Sequence, residues 1–368
     1  MPPKKPGIYL ADYNDCLTFL RLFSGAFALV SQHLSYAPFV SVPTRFFPVV
    51  RTECSGDIRV KLVNALFGVM DGLDGAKEFR VARNAVEMSL LDALGQLLHI
   101  PTAELILGSE WRVTRPTYYT VAMNSDLNEM KASTHFGVQH TPYLKLKMDK
   151  NVAFWSTWLP ELYALCVELT KHKHQAAQLG EAKLDFVWSV DANADWSPAV
   201  AREMLPLLTP YKHLISMIEQ PFQAHLNEGE LEQWKEIKKE FFAAGFVIYA
   251  DESVSTSADI LALKDICHGV NIKLDKTGGV REALRTWECA TKEGLGVWIG
   301  IMVSSRLSTS MASCILPIST LGGDLDGQLL VDPQSDRFTE GLNWDVNTGL
   351  CSPPDAPGLG LLLKNSNP

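Results

Sequence analysis

The chain has 368 residues, 46% apolar and 20% charged, with a formal net charge of −9. That length holds a barrel of about 250 residues with a smaller domain beside it, and the acidity argues against nucleic acid as a partner. The seven cysteines, at 16, 54, 166, 267, 289, 314 and 351, are odd in number and lack C-x2-C pairing, so they read as reduced thiols in a cytoplasmic or other intracellular protein.

Residues 1–60 carry little pattern. A helix over 17–34 and short strands within 39–50 are the expectations. The most apolar early run, 17–30, is interrupted by Arg21 and preceded by Asp12 and Asp15. It therefore does not read as a membrane span, and a targeting segment after Lys4 and Lys5 is the weaker reading. From Ala82 the pattern sharpens. Val86, Leu90, Leu94 and Leu97 recur at three and four residues, widened by Ala85, Met88 and Leu91, which predicts a helix with one broad buried face. It stops near His99, ahead of Ile100-Pro101. A shorter helix over 102–107, closed by Gly108, follows. Residues 1–114 are assigned to a small α+β capping domain.

The barrel is assigned to 115–343. Its first strand is expected at 118–122 and its second at 142–148, where alternation puts Lys145 and Lys147 on one face. Two inward lysines need a reason, because an unpaired buried ammonium is costly. Residues 151–180 read as a helix with Trp155, Trp158, Leu162 and Leu165 in contact with the core; His172 and His174, two apart, face solvent. Then come FVWSVD, LISMIE, GFVIYAD and GVNIK, apolar runs that end on Asp191, Glu219, Asp251 and Lys273. Helical periodicity fills 198–208, 228–242, 257–267 and 280–293. The alternation predicts parallel βα units. In a closed barrel the C-terminal strand ends meet at one mouth. Singly, each charge would end a strand by pointing at water; four in succession argue for a site.

The seventh strand is expected at 296–302 and the eighth within 321–326. Arg306 either reaches an anionic substrate or is a surface arginine. Gly322, Gly323 and Gly327 around Asp324 and Asp326 suit close ligand approach or an ordinary charged turn. The tail, 344–368, is too irregular for a barrel helix and is expected to return to the small domain. The fold class is α/β: a TIM-like (β/α)8 or modified (β/α)7β barrel with a small N-terminal cap.

Asp191, Glu219 and Asp251 are hard oxygen donors, which suits Mg2+, with Mn2+ as the substitute, and disfavours zinc. Lys147 and Lys273 flank them on opposite sides of the barrel. Crowding by another ammonium and a divalent cation is expected to favour the neutral, basic form of such a lysine. The cation would stabilise the enediolate left when an α-proton is removed. Two bases on opposite faces of one carbon give racemisation or epimerisation; one base gives elimination or cycloisomerisation.

These residues carry a resemblance. ARNAVEMSLLDALG at 82–95, YLKLK at 143–147, DANADW at 191–196, EQP at 219–221, ADES at 250–253 and NIKLDKTGG at 271–279 resemble the enolase superfamily, muconate-lactonizing subgroup. Within it, GDLDG at 323–327 is similar to the dipeptide epimerases, whose members include L-Ala-D/L-Glu epimerases. The resemblance implies Mg2+ on Asp191, Glu219 and Asp251, acid/base work by Lys147 and Lys273, and Lys145 on the substrate carboxylate. It implies Asp324 and Asp326 on a dipeptide's free ammonium, with Asn193 and Asp195 near the site. It also implies a small-molecule partner, with no nucleic acid or membrane, and leaves room for a homo-oligomer. The alternatives are an N-succinylamino acid racemase or o-succinylbenzoate synthase, or a catalytically weak homologue that binds a ligand. Two departures stand out. Ile301 occupies a place where relatives carry a small residue or cysteine, and the first fifty residues do not resemble the family's opening strands or closing loop.

Overall fold

In the computed structural model, residues 58–72, 79–176 and 186–364 are described. The expectations for 17–34, 39–50 and 177–180 lie outside them, as do the side chains of His172 and His174. Helix α1 (Ile58–Asp71) is not among the expected elements, although Val63, Phe67 and Met70 bury a stripe at helical spacing. Helix α2 (Arg80–Leu98) forms where the periodicity predicts it, but its buried face is Ala82, Asn84, Glu87, Met88, Leu91 and Gly95. Val86, Leu90 and Leu94 are only partly buried and Leu97 is exposed, because the helix turns polar Asn84 and Glu87 inward. His99 turns left-handed at φ 54 and ends it, two residues before Pro101. Helix α3 (Thr102–Leu107) closes on Gly108 at φ 63, where a side chain would be strained.

Eight parallel strands then neighbour one another in chain order: β1 (Tyr119–Val121), β2 (Tyr143–Lys147), β3 (Val187–Asp191), β4 (Ile215–Glu219), β5 (Ile248–Ala250), β6 (Gly269–Lys273), β7 (Gly296–Gly300) and β8 (Gly323–Asp324). A bridge between Thr117 and Gly323 joins the last strand to the first, with Tyr118 N–H donating to Gly323 O at 2.9 Å. The ring is a TIM-like barrel. Register sets Lys147 beside Asp191 and Asp191 beside Glu219, so charges from neighbouring strands stand level at the mouth.

Below them Tyr118, Met217, Tyr249 and Trp298 fill the interior. Gly269 and Gly296 make room for Tyr249: a Cβ on the first would strike its ring at 2.3 Å, and one on the second its hydroxyl at 2.2 Å. The large apolar core lies outside the ring, between strands and helices, as in barrels whose strands are buried on both sides. Trp155, Trp158 and Leu162 enter it from helix α5 (Val152–Ala176), which follows α4 (Leu127–His140). Leu165 is only half-buried and Cys166 takes the inward place.

Helices α6 (Pro198–Leu208) and α7 (Glu228–Ala243) agree with their periodicity. The run at 257–267 is shorter than expected: a 3-10 turn, Ser257–Asp259, leads into α8 (Ile260–Leu263). Buried Ile260, Leu263, Ile266 and Cys267 keep helical spacing. Past Leu263, however, Ile266 and Cys267 both donate to the same carbonyl, Leu263 O, and the regular ladder ends. A single turn, α9 (Leu274–Thr277), precedes α10 (Val280–Lys292), and α11 (Arg306–Ser313) follows β7.

The last segment returns to α2 and α3. Thr102 N–H donates to Gly358 O at 2.8 Å, and Leu359 N–H to Asp92 Oδ1 at 2.7 Å. Among the described residues no helix is long and apolar enough to cross a membrane, and Cys166, Cys267, Cys289, Cys314 and Cys351 are unpaired.

Candidate active site

The inward positions at the strand ends surround a cavity of about 230 Å3. Lys145, Lys147, Asn193, Asp251, Glu252, Lys273, Lys276, Asp324 and Asp326 contribute its polar lining. Asp191 and Glu219 lie beneath, fully buried.

The charges are paired in a chain. Lys147 Nζ donates to Asp191 Oδ2 at 2.5 Å. Lys145 Nζ donates to Asp324 and to Glu219 Oε2, the latter at 3.3 Å, and stands 3.5 Å from Asp191. Lys273 Nζ donates to Asp251 Oδ2 at 2.7 Å, and Lys276 Nζ to the other oxygen, Asp251 Oδ1, at 2.5 Å. Trp298 Nε1–H reaches Asp324 Oδ1 at 2.8 Å, and Thr120 N–H reaches Asp326 Oδ2 at 2.6 Å. Gly300 lies between Lys273 and Asp324 in the register. A Cβ there would sit 2.5 Å from Asn271 and 2.8 Å from Asp324.

Electrostatics follow from this pairing. Burial opposes charge on Lys273, yet the carboxylates of Asp251, Asp324 and Glu219 together hold the ammonium above the usual lysine range. Lys145 is held above it too, against its burial, by Asp324, Glu219 and Asp191. Here the ion pair with Asp251 at 2.7 Å outweighs the crowding by Lys145 that would favour a neutral Lys273. Burial and then the Asp191 carboxylate push Glu219 up to about 8. Burial and Asp324 push Asp326 up to about 6. Asp251 stays well below the carboxylate range: burial raises it, but Lys273 and Lys276 more than compensate.

The donor set fits a hard divalent cation. Asp191, Glu219 and Asp251 are oxygen donors on consecutive strands, and Glu219 is buried beside like charge, a cost that a cation would relieve. Among the described residues no three such side chains already converge on one point, since each carboxylate turns toward an ammonium or, for Glu219 Oε1, toward Asn271 Nδ2 at 2.5 Å.

Residues 144–367 match the family described as Enolase C-terminal domain-like. An enolase superfamily member of Dictyostelium discoideum is 35% identical over 99% of this chain and 86% of its own length. The chain belongs to the enolase superfamily. Within that superfamily it falls in the muconate-lactonizing subgroup. A hydrophobic dipeptide epimerase of a Flavobacteria bacterium is 34% identical over 81% of this chain and 78% of that protein. An L-Ala-D/L-Glu epimerase of Bacteroides thetaiotaomicron is 29% identical over 76% of this chain, which spans only 64% of that protein. The substrate-liganded L-Ala-D/L-Glu epimerase from Bacillus subtilis superposes with a TM-score of 0.62 at 25% identity, over 81% of this chain and 76% of that one.

In this superfamily member the strand-end residues named from the sequence come together, with two exceptions of position. Arg306 does not line the cavity; its backbone N–H and guanidinium face Asp336 and its Nη1 faces Gln328 Oε1 at 3.4 Å. Asp195 is held by Lys150 at 3.0 Å, while Asn193 does reach the lining. Sequence reasoning missed Lys276, Asn271 and Gln220. Gln220, at φ 37, accepts Asp251 N–H at 2.7 Å and donates to Ser253 Oγ at 2.7 Å, tying EQP to ADES. Lys276 was within reach of reasoning, because one helical turn after Lys273 returns a side chain to the same end of the strand.

Proposed function

We propose that this protein is a dipeptide epimerase that inverts an α-carbon by a two-base mechanism and prefers apolar dipeptides. It is an isomerase of the racemase and epimerase kind, as its relatives indicate. The observation that carries the finer reading is Lys147 on β2 and Lys273 on β6. These strands are four apart in a ring of eight, so the two ammonium groups face each other across the cavity. One lysine takes the α-proton, and the other returns a proton to the opposite face. Asp191, Glu219 and Asp251 would hold Mg2+, which when bound supplies positive charge to the substrate carboxylate and so acidifies the α-C–H. Lys145, buried at the floor, adds a fixed ammonium for the same carboxylate. Asp324 on the last strand and Asp326 just beyond it, both on the cavity lining, offer the charge that a free α-ammonium requires.

Side-chain preference follows from the remaining wall. Ile301, Met302, Val303 and Leu330 line the cavity, so the departure at Ile301 belongs to an apolar surface. Lys145, Lys147, Lys273 and Lys276 are each paired with a carboxylate, and Arg306 is engaged outside. An acidic side chain would bury its charge without a spare cation; an apolar one would gain contact.

The test is α-deuterium incorporation from deuterated water, followed by NMR, across L,L-dipeptides and N-acylated amino acids with Mg2+ present. Dipeptides with leucine or larger apolar side chains should exchange at least about tenfold faster than L-Ala-L-Glu. Preference for N-succinyl or other N-acyl substrates would reject the dipeptide reading. No exchange with any compound would leave a ligand-binding homologue.

A further inference from the structure

Helices α4, α6 and α7 each begin on a side chain that caps their free N–H groups: Asp126, Ser197 and Asn227. Helix α10, which follows β6 after the single turn α9, begins on Gly279 and has no such cap of its own. Its cap comes from α2. The Glu87 carboxylate lies over the N–H groups of Val280 and Arg281, accepting the second at 3.1 Å. It is 1% exposed, and a Cβ on Gly279 would meet it at 2.6 Å. Two further residues on the same face of α2, one and two turns earlier, touch the same connector in reverse order. Asn84 Nδ2–H donates to Asp275 Oδ1 at 2.9 Å, and Arg80 Nη1–H to Lys276 O at 3.2 Å. Gly278, at φ 76, passes within 3.3 Å of Arg80 as measured from an added Cβ. The connector after Lys273 is therefore tied to the first turns of α2 at Arg80, Asn84 and Glu87, and Lys276 in turn grips Asp251 by side chain and carbonyl.

We propose that Glu87 is a positioning residue: with Asn84 and Arg80 it templates the β6–α10 connector and so fixes where Lys273 and Lys276 stand. A buried carboxylate at a helix N-terminus holds that terminus by charge and hydrogen bonding, and only six residues separate Lys273 from that cap. Lys147, on the far side of the ring, shares none of these contacts. The assignment of Lys273 as one of two bases rests on the function proposed above, but its placement by α2 does not.

The experiment uses the full chain and reads each lysine separately. Intact protein is treated briefly with an amine-acetylating reagent, and labelling of Lys145, Lys147, Lys273 and Lys276 is followed by mass spectrometry. In Glu87→Ala, labelling of Lys273 and Lys276 should rise at least about fivefold, while Lys145 and Lys147 stay within about twofold of the unaltered protein. Glu87→Gln, which keeps an acceptor oxygen, should stay near the unaltered protein. Asn84→Ala, a milder change that leaves the helix cap intact, should show the same selective rise at smaller size and serves if Glu87→Ala does not fold. An unchanged Lys273 in the alanine variants, or an equal rise at all four lysines, would overturn the proposal. With an exchanging dipeptide in hand, Glu87→Ala should slow α-deuteration about tenfold for the epimer served by Lys273, at similar KM, and spare the other. If the unaltered protein exchanges nothing, the proposed function fails while the labelling still decides this inference.

Discussion

Every polar atom of Asp251 is engaged: Lys273 and Lys276 on its carboxylate, Lys276 on its carbonyl, and Gln220 on its N–H. These bonds fix the carboxylate without consuming it, since each oxygen retains a free lone pair. As a cation ligand it is preoriented. Asp251→Asn should weaken Mg2+ binding at least about tenfold by titration calorimetry, because it removes one of three charges from the donor set. Equal affinity in both proteins would sink the metal assignment. At this scale the sequence was most informative where chemistry is local. Asp191, Glu219, Asp251 and Lys273 each end an apolar run, and a charge in that position is conspicuous. The bonds that set their neighbours are not. Asp324 meets Trp298 and Lys145 from two other strands, and Asn271 meets Glu219 across 52 residues. No spacing rule reaches such pairs.

The elements divide by the same logic. Helices α2, α6, α7 and α10 were legible because each is long enough to show its period, and strands β3 to β6 because each is an apolar run that leads to a charge. Helix α9 has four residues and shows none; it exists because the Gly278–Gly279 pair turns the chain against α2. That pair allows a test in which geometry and contact separate. Gly279, at φ 130, faces Glu87, whereas Gly294, at φ 74, has nothing within 4 Å of an added Cβ. Gly294→Ala should cost about 1 kcal/mol of unfolding free energy for its left-handed backbone alone. Gly279→Ala should cost about 3 kcal/mol or more, since strain and overlap add. Chemical denaturation of both variants measures the difference, and equal costs would mean that Glu87 moves aside freely.

For the molecule as a whole, the barrel type was visible in the rhythm of the chain, but the packing of α1 and α2 on it was not. Asp71 gathers Arg83, Arg281 and Arg285, and Arg281 also donates to Phe67 O at 2.6 Å. Sequence shows these only as scattered surface charges. The ring itself is closed by its shortest strand. Thr117 Oγ1 accepts Leu325 N–H at 2.9 Å, beside the Tyr118 and Thr120 N–H bonds described above. A dipeptide whose ammonium sits on Asp324 and Asp326 would lie across this junction. Saturating ligand should therefore slow amide hydrogen exchange at 117–121 and 323–326 more than in β4 or β5, as mass spectrometry would detect. Uniform slowing would place the ligand elsewhere.

The seam also has a consequence for synthesis. Thr120 and Asp326 are 206 residues apart, so a ribosome must deliver that whole stretch after β1 before the ring has both of its ends. Until then β1 presents an open edge of the kind that recruits other chains. The two aspartates proposed to receive the substrate are thus the last of the site's charged side chains to arrive. Translation that stopped just short of them would release a curved sheet with unpaired edges rather than a slower enzyme, a product for chaperones and proteases to clear.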